Sequence, residues 1–158
     1  MILYHGTNID FGEIDLSCSN PYKDFGKGFY LTDIRTQALE LARKRMIRDG
    51  GSQVVQEYEF DEGLLIDSEL NCLRFDTPTA AWAEFIFKNR SRSTPAFKHD
   101  YDVVVGPIAD DGVAYFLNRY QEGSFTLEEL ANELQYKRLN RQYFFGTIKA
   151  ISLLKRIR

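Results

Sequence analysis

The chain has 158 residues, 44% of them hydrophobic and 27% charged, with a net charge of −3. That length fits one domain with a core large enough to stand without disulfides or metals. The slightly acidic balance excludes a global basic field of the kind that drives non-specific nucleic-acid binding, though a local patch stays open.

Met1 to His5 is short, apolar and β-tending, a buried strand that ends abruptly at His5-Gly6-Thr7. Residues 8–25 are a polar mixture with a turn at Asn20-Pro21. Asp24-Phe25-Gly26-Lys27-Gly28 is a loop leading into a second short strand, Phe29-Tyr30-Leu31. Thr32 or Asp33 can cap a helix to about Arg48, with Ile34, Ala38, Leu41, Ala42 and Met46 at helical spacing and Gly50-Gly51 as its stop. Residues 53–60 read as a strand, and Leu64-Leu65-Ile66 as another after the Asp61-Glu62-Gly63 turn. A helix is expected from Thr77-Pro78, with Ala81, Trp82, Phe85 and Ile86 as its stripe. Asn89 to Lys98 reads as a polar loop of basic character, with Lys88, Arg90, Arg92 and Lys98 in or beside it.

Tyr101 to Val105 predicts a buried strand ended by Gly106-Pro107, then a turn and a helix to about Tyr120. Thr126-Leu127-Glu128-Glu129 fits a capping box for a helix through about Arg138. Tyr143-Phe144-Phe145 reads as a last strand, and Thr147 as the cap of a C-terminal helix with Ile148, Ile151, Leu154 and Ile157 as its stripe. Strands scattered among helices point to α+β and not to a regular βαβ series. Cys18 and Cys72 lie far apart without metal-ligand spacing, and His5 and His99 are the only imidazoles, so free thiols are expected and a zinc site is not. No apolar run approaches the roughly 18 residues of a membrane span, and MILYHGT lacks the look of a signal peptide. A cytoplasmic protein without a membrane partner is the expectation.

Two stretches carry candidate chemistry. In His5-Gly6-Thr7, a histidine at a strand end can donate to a ribose hydroxyl, and glycine lets a ligand come close and leaves its N–H and C=O to pair with a planar amide. In Gly26-Lys27-Gly28-Phe29-Tyr30, two glycines precede an aromatic pair; Tyr30 can cover a flat heterocycle while Phe29 packs inward from the opposite strand face. The same residues also suit a capped strand end and a glycine-rich hairpin with core aromatics. Asp110-Asp111 can lie at a cleft or cap the following helix, and capping is favoured for at least one.

Taken together, His-Gly-Thr followed by Gly-x-Gly-x-Tyr resembles the ADP-ribosyltransferase superfamily, in its diphtheria-toxin and poly(ADP-ribose) polymerase branch. PYKDFGKGFYLT, DVVVGPIADD and QYFFGT are similar to a group of small bacterial domains in that superfamily, often encoded beside short partner proteins in toxin–antitoxin fashion. The resemblance covers most of the chain and implies a single domain with an α+β, ADP-ribosyltransferase-like split β-sheet with flanking helices, and NAD as substrate. It implies that His5 holds the adenosine ribose, Gly6 pairs with the nicotinamide carboxamide, Thr7 supports the ribose and Tyr30 stacks on nicotinamide. Lys27 and Gly28 lie where the pyrophosphate could pass. The third triad position falls on Gln142, where the polymerase branch has glutamate. Gln142 can orient a sugar but brings no charge to an oxocarbenium-like transition state and cannot deprotonate an acceptor. The implied activity is therefore single ADP-ribose transfer to a macromolecule, with a small antitoxin as partner. NAD hydrolysis, or NAD or ADP-ribose binding without catalysis, is the alternative. Residues 8–27 and 89–100 are the loops expected to choose the acceptor.

Overall fold

The computed structural model describes every residue except 67, 68, 93, 136 and 138. The described chain is mixed α+β, with two sheets and five α-helices. Its strands are β1 (Ile2–Thr7), β2 (Phe29–Leu31), β3 (Val54–Glu59), β4 (Cys72–Arg74), β5 (Val103–Pro107), β6 (Arg141–Phe145) and β7 (Lys155–Arg156). The helices are α1 (Arg35–Asp49), α2 (Ala80–Arg90), α3 (Asp111–Gln121), α4 (Leu127–Leu134) and the single turn α5 (Ile148–Ile151). The first sheet runs β1-β3-β7, all antiparallel; the second runs β2-β6-β5-β4, with only β4 and β5 parallel.

Strand alternation explains how the layers stack. Val103, Val105, Tyr143 and Phe145 turn one face of the second sheet toward Leu3, Tyr58 and Phe60 of the first. Val104 and Phe144 turn the other way, under Trp82, Ile86, Leu117, Leu130 and Leu134 of α2, α3 and α4. The second sheet is thus buried on both faces, which is why β5 begins as the unbroken apolar run Val103-Val104-Val105.

Most elements fall where the sequence places them, and their ends follow identifiable side chains. Gly50, with φ of 79°, closes α1. Thr126 and Glu129 form the expected reciprocal box on α4, which ends at Leu134; the expected end at Arg138 lies outside the described residues. Asp110 caps α3 by accepting from the Val113 amide at 2.8 Å, with Asp111 in the first turn.

Five expectations are corrected. Leu64-Leu65-Ile66 is not a strand: Asp61 accepts the Gly63 amide and winds Glu62–Leu65 into a 3-10 turn. The strand beside β5 is instead β4. Gly106-Pro107 does not end β5 but continues it, because both stay in register with Gln142 and Arg141 of β6, and the Pro107 carbonyl accepts from Trp82 Nε1 at 3.1 Å and from the Gln142 side-chain amide. Pro78 precedes α2 instead of opening it; Thr79 is the cap, accepting from the Trp82 amide. At α1, Thr32 accepts from the Ile34 amide in the turn before the helix, while the cap residue Ile34 has no side-chain bond. The C-terminal helix stops after one turn, leaving Ile148 exposed, and the chain returns to pair Lys155 and Arg156 with the free edge of β3.

Candidate functional site

β1 and β2 belong to different sheets and meet at one place, where Tyr4 and Thr32 exchange backbone bonds of 2.8 and 2.9 Å. Past that bridge they part. Since Tyr4 turns its N–H and C=O toward β2, alternation turns those of Gly6 to the same edge, along the gap. In the gap the His5 Nδ1 bonds the Tyr30 carbonyl at 2.8 Å, a side chain standing in for the missing strand pair.

Side-chain alternation sends His5 and Thr7 to one side of the gap and Gly6 to the other. His5, Thr7, Gly28 and Tyr30 line a cavity of about 420 Å³, closed by Phe11 and Phe29. Gly6, Tyr30 and Gln142 line a second cavity of about 290 Å³ with Thr32, Glu40 and Lys44. Tyr30 borders both. Lys27 lies elsewhere, in a third cavity with His99. Every expected site residue except Lys27 therefore borders the β1–β2 gap, divided between two cavities that share Tyr30.

Tyr30 is held at both ends. Its hydroxyl donates to the Gly26 carbonyl at 2.6 Å and accepts the Phe25 amide at 3.1 Å, and burial drives its pKa well above the usual phenol range. The turn that presents the Gly26 carbonyl needs φ of 90°, a conformation glycine adopts without strain. Phe29, as expected from alternation, faces inward, with its ring centroid 4.4 Å from that of His5.

The His5 tautomer follows from its partner. A carbonyl only accepts, so Nδ1 carries the proton and Nε2 presents a lone pair. Arg45 Nη1 lies 3.5 Å from that Nε2. Burial pulls the imidazole from its usual 6.5 down to about 4; the Tyr30 bond opposes this, and the charges of Arg45 and Lys23 add to it. His5 is therefore neutral at pH 7, and its Nε2 is an acceptor that faces the Arg45 guanidinium. The donor role expected of His5 is closed to Nδ1, whose proton the Tyr30 carbonyl holds.

This has a consequence for stability. A folded-state pKa below the unfolded one means the unfolded chain binds more protons between pH about 4 and 6.5, so the contribution of His5 is complete above 6.5 and is lost as pH falls toward 4. Across that window we expect His5 to remove up to about 3 kcal/mol of stability. Urea unfolding of wild type and His5→Asn at steps through the window reads it as a difference in slope. Equal slopes would mean that the imidazole is not buried as described.

Sequence reading missed two members of the site, Lys23 and Arg45. Lys23 Nζ stands 4.8 Å from the Tyr30 ring centroid, and Arg45 approaches His5. Burial lowers the pKa of both, and neither forms an ion pair among the described residues. The exposed acids Glu13 and Asp15 also line the cavity, but Asp15 spends its carboxylate on the turn at Ser17. Arg45 lies three residues beyond Ala42 and seven beyond Ala38, on the α1 stripe that faces β1, and a charge interrupting an apolar stripe was its readable signal. Lys23 is in a loop, where no periodicity marks the inward side.

Gln142 is anchored by its amide nitrogen, which donates to Asp24 Oδ2 at 3.2 Å and to the Pro107 carbonyl at 3.3 Å. Asp24 is itself paired with Arg90, whose Nε lies 2.7 Å from Oδ1. This fixes the amide so that its oxygen is the free polar atom. Among the described residues, no three His, Cys, Asp or Glu side chains are grouped to hold a metal ion, and no helix is long and apolar enough to cross a membrane.

The fold and this gap define a two-sheet α+β domain whose first two strands part around a histidine, a tyrosine and two cations that form no ion pair among the described residues. The chain belongs to the family described as "Protein of unknown function (DUF3990)", whose model matches residues 1–156. No curated protein and no solved structure matches it.

Proposed function

We propose that the domain is an ADP-ribosyltransferase-like split sheet that binds NAD across the β1–β2 gap and transfers one ADP-ribose to a macromolecular acceptor. The observation that carries this reading is the placement of Lys23 and Arg45. Two partly buried cations that form no ion pair among the described residues, in a cavity with a hydrogen-bonding His5 and Thr7, match a ligand made of a diphosphate between sugars. The cavity volume lies within the range of small-molecule sites, and its neighbour across Tyr30 offers room for the rest of a dinucleotide.

On this reading Arg45 turns from His5 Nε2 to the diphosphate and a ribose hydroxyl donates to Nε2 in its place, Thr7 supports the same sugar, and the free backbone edge of Gly6 pairs with the carboxamide. Tyr30 is the rigid wall against the nicotinamide. Breaking the ribose–nicotinamide bond sends the bonding pair out with neutral nicotinamide. A lone pair of the acceptor then bonds to the ribose carbon, and the acceptor proton passes to water. The Gln142 oxygen orients the sugar without adding charge, which favours single transfer over chain growth. Such a domain suits a bacterial toxin held in check by a small antitoxin protein.

One observation favours a second reading, slow NAD hydrolysis or binding alone. The Asp24 carboxylate beside Gln142 is already neutralised by Arg90, so Asp24 adds no free negative charge at the third triad position. Nicotinamide release, measured beside calorimetry with NAD, separates the readings. Transfer requires release together with labelled macromolecular product. Binding without release leaves a binding module, and neither binding nor release sinks the proposal.

A further inference from the structure

The loop before β2 divides two cavities: Lys23 and Gly28 face the cavity of His5, while Tyr22, Gly26 and Lys27 face another of about 260 Å³. We propose that this other cavity is a nucleobase pocket, and that it receives a base of a single-stranded nucleic acid. Its role as the acceptor site rests on the NAD reading above; the pocket itself stands on its own geometry.

Its walls are aromatic. Tyr22, Phe97, His99, Tyr101 and Phe144 surround it, with ring centroids of His99 at 5.3 Å from Tyr101, 5.5 Å from Phe144 and 6.3 Å from Phe97. His99 offers only its faces and edges, because both nitrogens are used: Nε2 bonds the Phe25 carbonyl at 2.7 Å and Nδ1 accepts the Tyr101 amide at 3.2 Å. Rings fixed in this way make stacking surfaces, and every base has a flat face to give them. Asn89 is buried at the wall and donates its amide nitrogen to the Phe85 carbonyl, which leaves the amide oxygen as its acceptor toward the amino group of a base.

The charges select the ligand. Lys27 and Lys98 line the cavity, no carboxylate does among the described residues, and Lys88 and Arg92 stand against Phe97 and Tyr22 at 5.9 and 4.7 Å. Cations around an aromatic pocket disfavour a cationic guest and favour one followed by phosphates. The volume is short of a dinucleotide's needs and suited to one base. A base inside a duplex cannot present its face, so the strand must be single. The Phe144 ring links the two sites, lying between His99 and Tyr30, 5.3 Å from the latter.

Fluorescence anisotropy with labelled single strands of about 12 nucleotides, RNA and DNA, against the matching duplexes tests this. Single strands are expected to bind the full chain at least about tenfold tighter than duplex, with affinity falling between about 50 and 200 mM salt. Phe97→Ala, a change at an exposed ring, should weaken binding about tenfold, and Lys98→Gln should reduce the salt slope by about one. His5→Asn should leave oligonucleotide binding intact, so a failure of the NAD reading and a failure of the base pocket are seen separately. Three results would overturn the proposal: no single-strand binding, wild-type affinity in Phe97→Ala, or displacement of the oligonucleotide by NAD at the concentration at which NAD fills its own site by calorimetry. The last would assign the pocket to the adenine of the dinucleotide.

Discussion

A Gly6→Ala variant is expected to melt about 10 °C below wild type, a loss of about 3 kcal/mol. The reason is contact with α1 and not backbone conformation. A methyl group on Gly6 would fall on the Ala38 carbonyl oxygen and within 3.0 Å of the Ala42 amide nitrogen, both parts of the α1 backbone. Backbone cannot step aside as a flexible side chain does, so the helix must lift from the strand, and buried Ala38 and Ala42 lose their packing. Gly12→Ala is the matched control, since nothing lies within 4 Å of a methyl group there. Thermal unfolding by circular dichroism compares the two. Equal melting temperatures would mean that α1 does not rest on β1. Gly6 therefore answers to two demands: one face admits the helix, and its free edge lines the gap.

How far the sequence predicts this arrangement depends on whether the determinant is local. Asp110 and Thr126 announce helix starts because each needs only an amide three residues on, and Gly50 ends α1 for an equally local reason. Val103-Val104-Val105 reads as a buried strand because both faces are covered. The errors arise where distant partners decide. Ile148, Ile151, Leu154 and Ile157 are spaced as a helical stripe, yet the edge of β3 captures Lys155 and Arg156, and Arg156 is further tied to Asp10 and the Phe11 carbonyl. β4 is only three residues long and paired on one side, too short for any period to show. The site divides in the same way. His5, Thr7 and Tyr30 come together because they lie on neighbouring strands with fixed alternation. Lys27 and Lys23 differ by four loop residues, and the turn at Gly26, which no periodicity reveals, puts them in different cavities.

If the domain releases nicotinamide from NAD as proposed, His5→Asn is expected to lower kcat/KM for that release about 100-fold, chiefly through kcat. Asparagine can keep an N–H on the Tyr30 carbonyl, so the join between β1 and β2 survives, but it has nothing in place of Nε2. On the proposed reading the ribose then lacks the acceptor it takes over from Arg45, and the sugar is held less well where its bond must break. Arg45→Gln should act differently. A cation that grips a diphosphate does so before and during bond cleavage, so its loss should raise KM about tenfold with little change in kcat. The pH profile adds a readout that simple misfolding would not reproduce. With the His5 imidazole at about 4, kcat/KM should show no His5 limb near 6.5, and only below about pH 5 should protonation of Nε2 begin to remove the acceptor. A wild-type inflection near 6.5 that disappears in His5→Asn would instead make His5 a titrating base, and its neutral, carbonyl-bound role would be wrong. Turnover within about twofold of wild type in His5→Asn would remove it from the site altogether.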